Sequence, residues 1–113
     1  MLEFKPLTQP DYHHALAATA GLAVVMFSGP DCGSCRRVEA LLPQALEGAV
    51  QALFRVDVQR STGLARQYDV FHLPTLFLYR DGQFHAALES EATPVALRRA
   101  VAGARAQPPQ EEP

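Results

Sequence analysis

The sequence predicts a single α/β domain in which helices cover both faces of a mixed sheet. Two observations carry this reading. Apolar, β-branched runs alternate along the chain with segments whose apolar residues recur at helical spacing, the pattern of strands joined by crossover helices. The last two runs are separated only by Asp81-Gly82, a hairpin signal that makes their pairing antiparallel. At 113 residues the chain suits one compact domain with its own core, and it shows no internal repeat and no second domain.

Each element has a local reason. Residues 11–19 read as a helix with Leu16 and its alanines available for packing, Thr8 or Asp11 at its start, and Gly21 breaking it. Residues 22–28 are continuously apolar, as expected of a central strand buried on both faces. From Ser34 to about Glu47, Val38, Leu41, Leu42, Ala45 and Leu46 fall at i, i+3, i+4, i+7 and i+8, one face of a helix. Pro43 removes one of its hydrogen bonds and predicts a kink, and Gly48 closes it. Residues 51–58 read as the second strand, 61–68 as a short helix capped by Ser61 or Thr62, 75–79 as the third strand and 83–88 as the fourth. Thr93 followed by Pro94 opens the last helix, to about Ala104, with Val95, Leu97, Val101 and Ala104 facing inward. The domain is therefore residues 1–105, and 106–113 form a polar, proline-rich tail expected to be disordered.

Charge and composition narrow the function classes. A net charge of −2 with scattered basic residues gives no electrostatic footprint for nucleic acid. No apolar run approaches the roughly 18–20 residues that cross a bilayer, so no membrane partner is expected. The first residues, Met1 to Pro6, lack the basic start and apolar stretch of a secretory leader, and a cytoplasmic protein, monomeric and without cofactor, is expected.

Cys32 and Cys35 are the only cysteines, in Asp31-Cys32-Gly33-Ser34-Cys35-Arg36, where the first central strand hands over to a helix. Two cysteines cannot build a framework of several bridges, and in a reducing compartment a pair at this spacing points to redox chemistry rather than to a structural bridge. Only a thiolate attacks a disulfide, and the unpaired N–H groups and dipole at a helix N-terminus favour the thiolate of Cys32. Cys35, one turn further in, is the shielded partner. A zinc half-site is the competing reading, but His13, His14, His72 and His85 show no paired spacing against the cysteines, and no metal is assigned.

The chain resembles the thioredoxin family in three segments. They are Val24 to Arg36 around the cysteines, Arg55-Val56-Asp57-Val58, and Tyr68 to Gly82, which contains Leu73-Pro74-Thr75 before an apolar strand and a charged-Gly turn. The similarity covers roughly residues 10–105. It implies the thioredoxin fold, with a central mixed sheet of four to five strands. It also implies a thiol–disulfide oxidoreductase in which Cys32 is the nucleophile and Cys35 the resolving thiol of a redox-active disulfide. Gly33 and Ser34 let the ring close, and Leu73-Pro74 is expected as a cis bond beside Cys32. The residue 73 backbone pairs with a substrate strand in this picture. The implied partners are protein disulfide substrates and a reductase or other thiol donor.

The departures from the family matter as much. Asp31 replaces the usual tryptophan, and an acid there disfavours the neighbouring thiolate. Ser34 replaces the proline between the cysteines, which leaves the redox poise open. Met26 stands where the family buries an acid beneath the pair, with Asp57 as a nearby candidate to take over its proton transfer. His72 replaces a glycine two residues before Pro74 and could tune the thiolate near neutral pH or be simply an exposed loop residue. Two alternatives follow from these changes: a thioredoxin-fold binding or chaperone module with dispensable cysteines, and a metal- or cluster-binding dimer.

Overall fold

Every residue of Leu22–Ser28 is buried, and the sheet is built around this strand. The computed structural model describes residues 1–113. Its elements are β1 (Phe4–Leu7), α1 (Tyr12–Ala17), β2 (Leu22–Ser28), α2 (Gly33–Ala45), β3 (Ala52–Asp57), α3 (Thr62–Gln67), β4 (Thr75–Arg80), β5 (Gln83–Leu88) and α4 (Pro94–Ala106). The strand order is β1-β3-β2-β4-β5. β1 and β2 pair parallel to β3, whereas β4 runs antiparallel to β2 and β5 antiparallel to β4. The continuous apolar run thus lies at the middle of the order, as its two buried faces demand. This is the thioredoxin fold, with five strands.

β1 has no counterpart among the elements expected from sequence. Its four residues include Lys5 and Pro6, which mask any apolar alternation. Both suit its place at the sheet edge, where a missing N–H and a charge are tolerated.

The two faces of the sheet carry different cores. Under α2 and α4 lie Val24, Met26, Val38, Leu42, Leu46, Leu53, Leu76, Leu78, Leu97 and Val101, almost wholly aliphatic. Under α1 and α3 the layer is aromatic: Tyr12, Phe27, Phe54, Tyr68, Phe77, Tyr79 and Phe84. Within the aromatic layer the Tyr12 and Tyr79 hydroxyls bond to each other at 2.7 Å. The edge-on contacts of Phe77 with Phe27, Tyr68 and Phe84, ring centroids 5.1 to 5.7 Å apart, are favoured by the ring quadrupoles.

Helix ends follow the sequence signals unevenly. Thr93 caps α4 through its Oγ1, which accepts from Ala96 N–H at 3.1 Å, with Pro94 in the first turn. Asp11 precedes α1 without capping it, because its carboxylate is used by the Thr8 N–H and hydroxyl in the preceding turn. Ser61 is likewise buried at the start of α3 without a side-chain cap. Pro43 stands in the last turn of α2, which continues to Ala45. On α4, Leu97 and Val101 are buried but Val95 is 62% exposed: two residues before Leu97, it lies about 200° around the helix, on the outer face.

β5 contains a bulge. Ala86 pairs with Leu78 and Phe84 with Tyr79, so His85 is an extra residue on its strand. The bulge places Phe84 in the aromatic core and Ala86 in the aliphatic one. His85 is buried, and its Nε2–H is shared between the carbonyls of Ala104 and Gln107 at 2.9 and 3.0 Å, tying β5 to the end of α4. Beyond α4, residues 107–113 carry no helix or strand, but the segment expected to be an unpacked tail makes bonds: Gln110 N–H donates to the His85 carbonyl at 2.7 Å.

Candidate functional site

β2 ends at Ser28, and the loop Gly29-Pro30-Asp31 delivers the chain to Cys32, the residue that caps α2. Cys32 is extended (φ −114°, ψ 100°), and its Sγ accepts the Cys35 N–H at 3.1 Å. This sulfur takes the role that a serine or aspartate oxygen plays at other helix starts, so the helix N-terminus is aimed at it. Cys32 and Cys35 are joined in a disulfide with Cα atoms 5.2 Å apart. The two are unequal in access: Cys32 is half-buried, and Cys35 is only 2% exposed. An incoming sulfur therefore reaches Cys32 first.

The loop before β4 lies against this motif. The Leu73-Pro74 bond is cis. Ser34 Oγ, which is exposed, lies 3.4 Å from the Leu73 carbonyl and 3.5 Å from Cys32 Sγ, so one hydroxyl touches both the sulfur and the loop backbone. The Thr75 hydroxyl donates to the His72 carbonyl and closes the turn that holds Pro74. Cys32, Cys35, Ser34, Leu73 and Pro74 are thus brought together. Gly33 is exposed, and a side-chain carbon there would meet nothing within 4 Å, so the geometry places no steric demand on it.

The remaining residues singled out from sequence lie around this centre with different roles. Asp31 is exposed beside Cys32. His72 is exposed in the loop before Pro74. Met26 is fully buried in the aliphatic core and supplies no titratable atom. Asp57 ends β3, and its Oδ1 accepts the Gln59 N–H at 2.8 Å in the following turn.

Two contributors were not assigned a role from sequence. A Cβ on Gly29 would meet the Leu73 side chain at 3.2 Å, so this glycine lets the Cys loop and the Pro74 loop approach. The Gly-Pro pair before the motif was its only sequence signal. Arg36 turns back to donate to the Pro30 carbonyl at 3.1 Å, bracing the loop from the helix. Nearby, Arg55 on β3, the cross-strand partner of Met26, pairs with Glu39 on α2 at 2.7 Å.

Comparison with known proteins places this arrangement in a class. The thioredoxin family model matches residues 3–102. Thioredoxin-2 of Saccharomyces cerevisiae is 30% identical over 93 residues, covering 81% of this chain and 88% of that protein. Protein disulfide-isomerase A3 of Gallus gallus is 35% identical over 80 residues, which is 68% of this chain but only 16% of that protein. In structure, the human ERp44 zinc-bound form superposes with a TM-score of 0.76 at 21% identity, covering 89% of this chain and 31% of that one. A five-stranded sheet of this order, a Cys-x-x-Cys at the start of α2 and a cis-proline before β4 define a thioredoxin-type redox domain. The chain belongs to the thioredoxin family. It spans less than a fifth of the disulfide-isomerase it matches and nearly all of the yeast thioredoxin.

Proposed function

We propose that the chain is a thiol–disulfide oxidoreductase that reduces disulfides of protein substrates, with Cys32 as nucleophile and Cys35 as resolving thiol. The observation that carries this is the unequal exposure of two sulfurs joined at a helix N-terminus, beside the backbone of Leu73. In the reduced protein the Cys32 thiolate attacks one sulfur of the substrate disulfide. That bond breaks, one substrate thiolate leaves, and a Cys32–substrate disulfide forms. Cys35 then loses its proton and attacks Cys32 Sγ, releasing the second substrate thiol and closing the Cys32–Cys35 disulfide. Two electrons have moved to the substrate, and a thiol donor or reductase must return them. In this reading the backbone of Leu73, a half-buried residue, pairs with an extended substrate segment during the first step.

Asp31 opposes formation of the thiolate by its charge, while the helix N-terminus favours it. With Met26 in the core, the proton of Cys35 passes to water or to a group on the substrate side of the site. We further propose a cytoplasmic, reducing setting for a monomer, in keeping with sparing cysteine use. No helix is long and apolar enough to cross a membrane.

The test is catalytic reduction of a protein disulfide such as those of insulin, with dithiothreitol as electron donor. Multiple turnovers that disappear in Cys32→Ser are expected. A reduction potential near about −270 mV would identify a reductant, and one near about −120 to −180 mV an oxidant or isomerase. Absence of turnover in the wild type, together with failure of the Cys32–Cys35 bond to re-form, overturns the assignment.

A further inference from the structure

We propose that the outer edge of β5 forms a receptor for an extended, glutamine-bearing peptide segment, and that residues 107–113 occupy it in cis, with Glu112 at the wall of the tyrosine-lined cavity beside it. The receptor lies outside the redox centre. It begins where the buried His85 side chain holds the Ala104 and Gln107 carbonyls and turns the chain off the end of α4.

Gln110 then grips the strand edge twice. Its N–H donates to the His85 carbonyl at 2.7 Å, and its side-chain Oε1 accepts the Ala87 N–H at 2.9 Å. β5 is the last strand of the sheet, so these two groups of its backbone would otherwise face solvent unpaired. One residue thereby satisfies both a donor and an acceptor of the edge, which is strand-addition recognition compressed to a single glutamine.

Two residues further on, Glu112 joins His13, Leu16, Tyr68, Tyr79, Gln83 and Phe84 around a cavity of about 330 Å³. The Tyr68 hydroxyl is buried here without a hydrogen-bond partner. A buried hydroxyl left in this state is destabilising, and it is a donor held ready for an acceptor. The strap brings the Glu112 carboxylate to the wall of this cavity without bonding the hydroxyl, which stays unpartnered. Burial raises the pKa of Tyr68, and the nearby Tyr79 and Glu112 raise it further, so its proton stays in place to be donated. The ligand chemistry is therefore a glutamine for the edge and, two positions on, a side chain at the mouth of the tyrosine-lined cavity. Alternate residues of an extended chain lie on one side, which is the spacing this requires. The two prolines before Gln110 keep that approach extended.

The test uses the full-length chain. In Gln110→Ala/Glu112→Ala the receptor is vacated, and a fluorescent peptide of residues 107–113 is expected to bind it at sub-millimolar concentration. Wild type, whose receptor is filled, is expected to bind the peptide at least tenfold more weakly, and a peptide carrying both alanines to bind neither. In parallel, the Ala87 amide of wild type should exchange with solvent at least tenfold more slowly than in the double variant. Failure of the peptide to bind the folded double variant overturns the receptor. Equal Ala87 exchange in the two proteins overturns the cis occupancy. Insulin reduction serves as a separate readout, expected to be unchanged in the variant.

Discussion

The two sides of the sheet solve the burial problem differently. The side under α4 and α2, the helix that begins at the cysteines, is aliphatic, with Met26 within β2 and no hydroxyl among its core residues. The side under α1 and α3 buries three tyrosines: the Tyr12 and Tyr79 hydroxyls satisfy each other, and the Tyr68 hydroxyl has no partner. An aliphatic layer gives the redox helix a foundation whose charge does not change when the sulfurs gain or lose electrons. An aromatic layer gives rigidity and polar handles at the cost of sensitivity to deprotonation. The redox helix thus rests on one layer, and the tyrosine-lined cavity opens on the other.

The sharpest test of that division is activity. Cys32→Ser should reduce disulfide turnover to the uncatalysed background, and Cys35→Ser should accumulate a covalent adduct with substrate, detectable by mass. Tyr79→Phe on the other face should leave turnover within about twofold, since it touches neither sulfur nor the Pro74 loop. A turnover defect in Tyr79→Phe comparable to that of Cys35→Ser would break the comparison.

Stability separates the faces next. Leu42→Ala, at a fully buried position under α2, should cost about 2–5 kcal/mol in urea unfolding through the cavity it leaves. Tyr79→Phe should cost about 1–3 kcal/mol, because Tyr12 loses the partner that satisfies its buried hydroxyl.

Alkaline pH should act on the aromatic face through its tyrosines. Burial raises the pKa values of Tyr12, Tyr68 and Tyr79 well above the ordinary value of 10.0, and the coupling among their hydroxyls modifies the shift. Above about pH 10 the unfolded chain releases these protons while the folded one keeps them, so stability is full below that pH and falls as pH rises. Urea midpoints measured from pH 8 to pH 11 should show this decline, and Tyr68→Phe should make it shallower. The smallest effect is expected at Thr93→Ala, which removes the cap of α4 and should cost about 1 kcal/mol.

Much of the fold is legible in the sequence because its signals are local and strong. The run 22–28 suits a doubly buried strand, and Asp81-Gly82 is a strong turn signal; Asp81 and Gly82 both have positive φ. β1 escapes because an edge strand of four residues with Lys5 and Pro6 has no period to read. The geometry of the site is legible in part. Cys32 and Cys35 announce themselves by spacing, and Pro74 by the segment around it. The role of Gly29 depends on the Leu73 side chain, 44 positions away in sequence, which no local pattern encodes. The tail reads as solvent-bound because its composition is polar and proline-rich; its partners are backbone groups of β5, which have no sequence signature at all. The burial of His85 has no sequence signature either, since it follows from a bulge and from helix-end carbonyls rather than from hydrophobicity.

The route of the strap changes where the chain leaves the domain. An element fused directly after α4 would emerge on the aliphatic side of the sheet. One joined after Pro113 emerges from beside the tyrosine cavity, on the side away from α2. A purification tag or a second domain placed there would be tethered away from the Pro74 loop, while one joined at Gln107 would forfeit the strap. The engineering choice of junction, six residues apart, therefore selects between a capped and an open sheet edge.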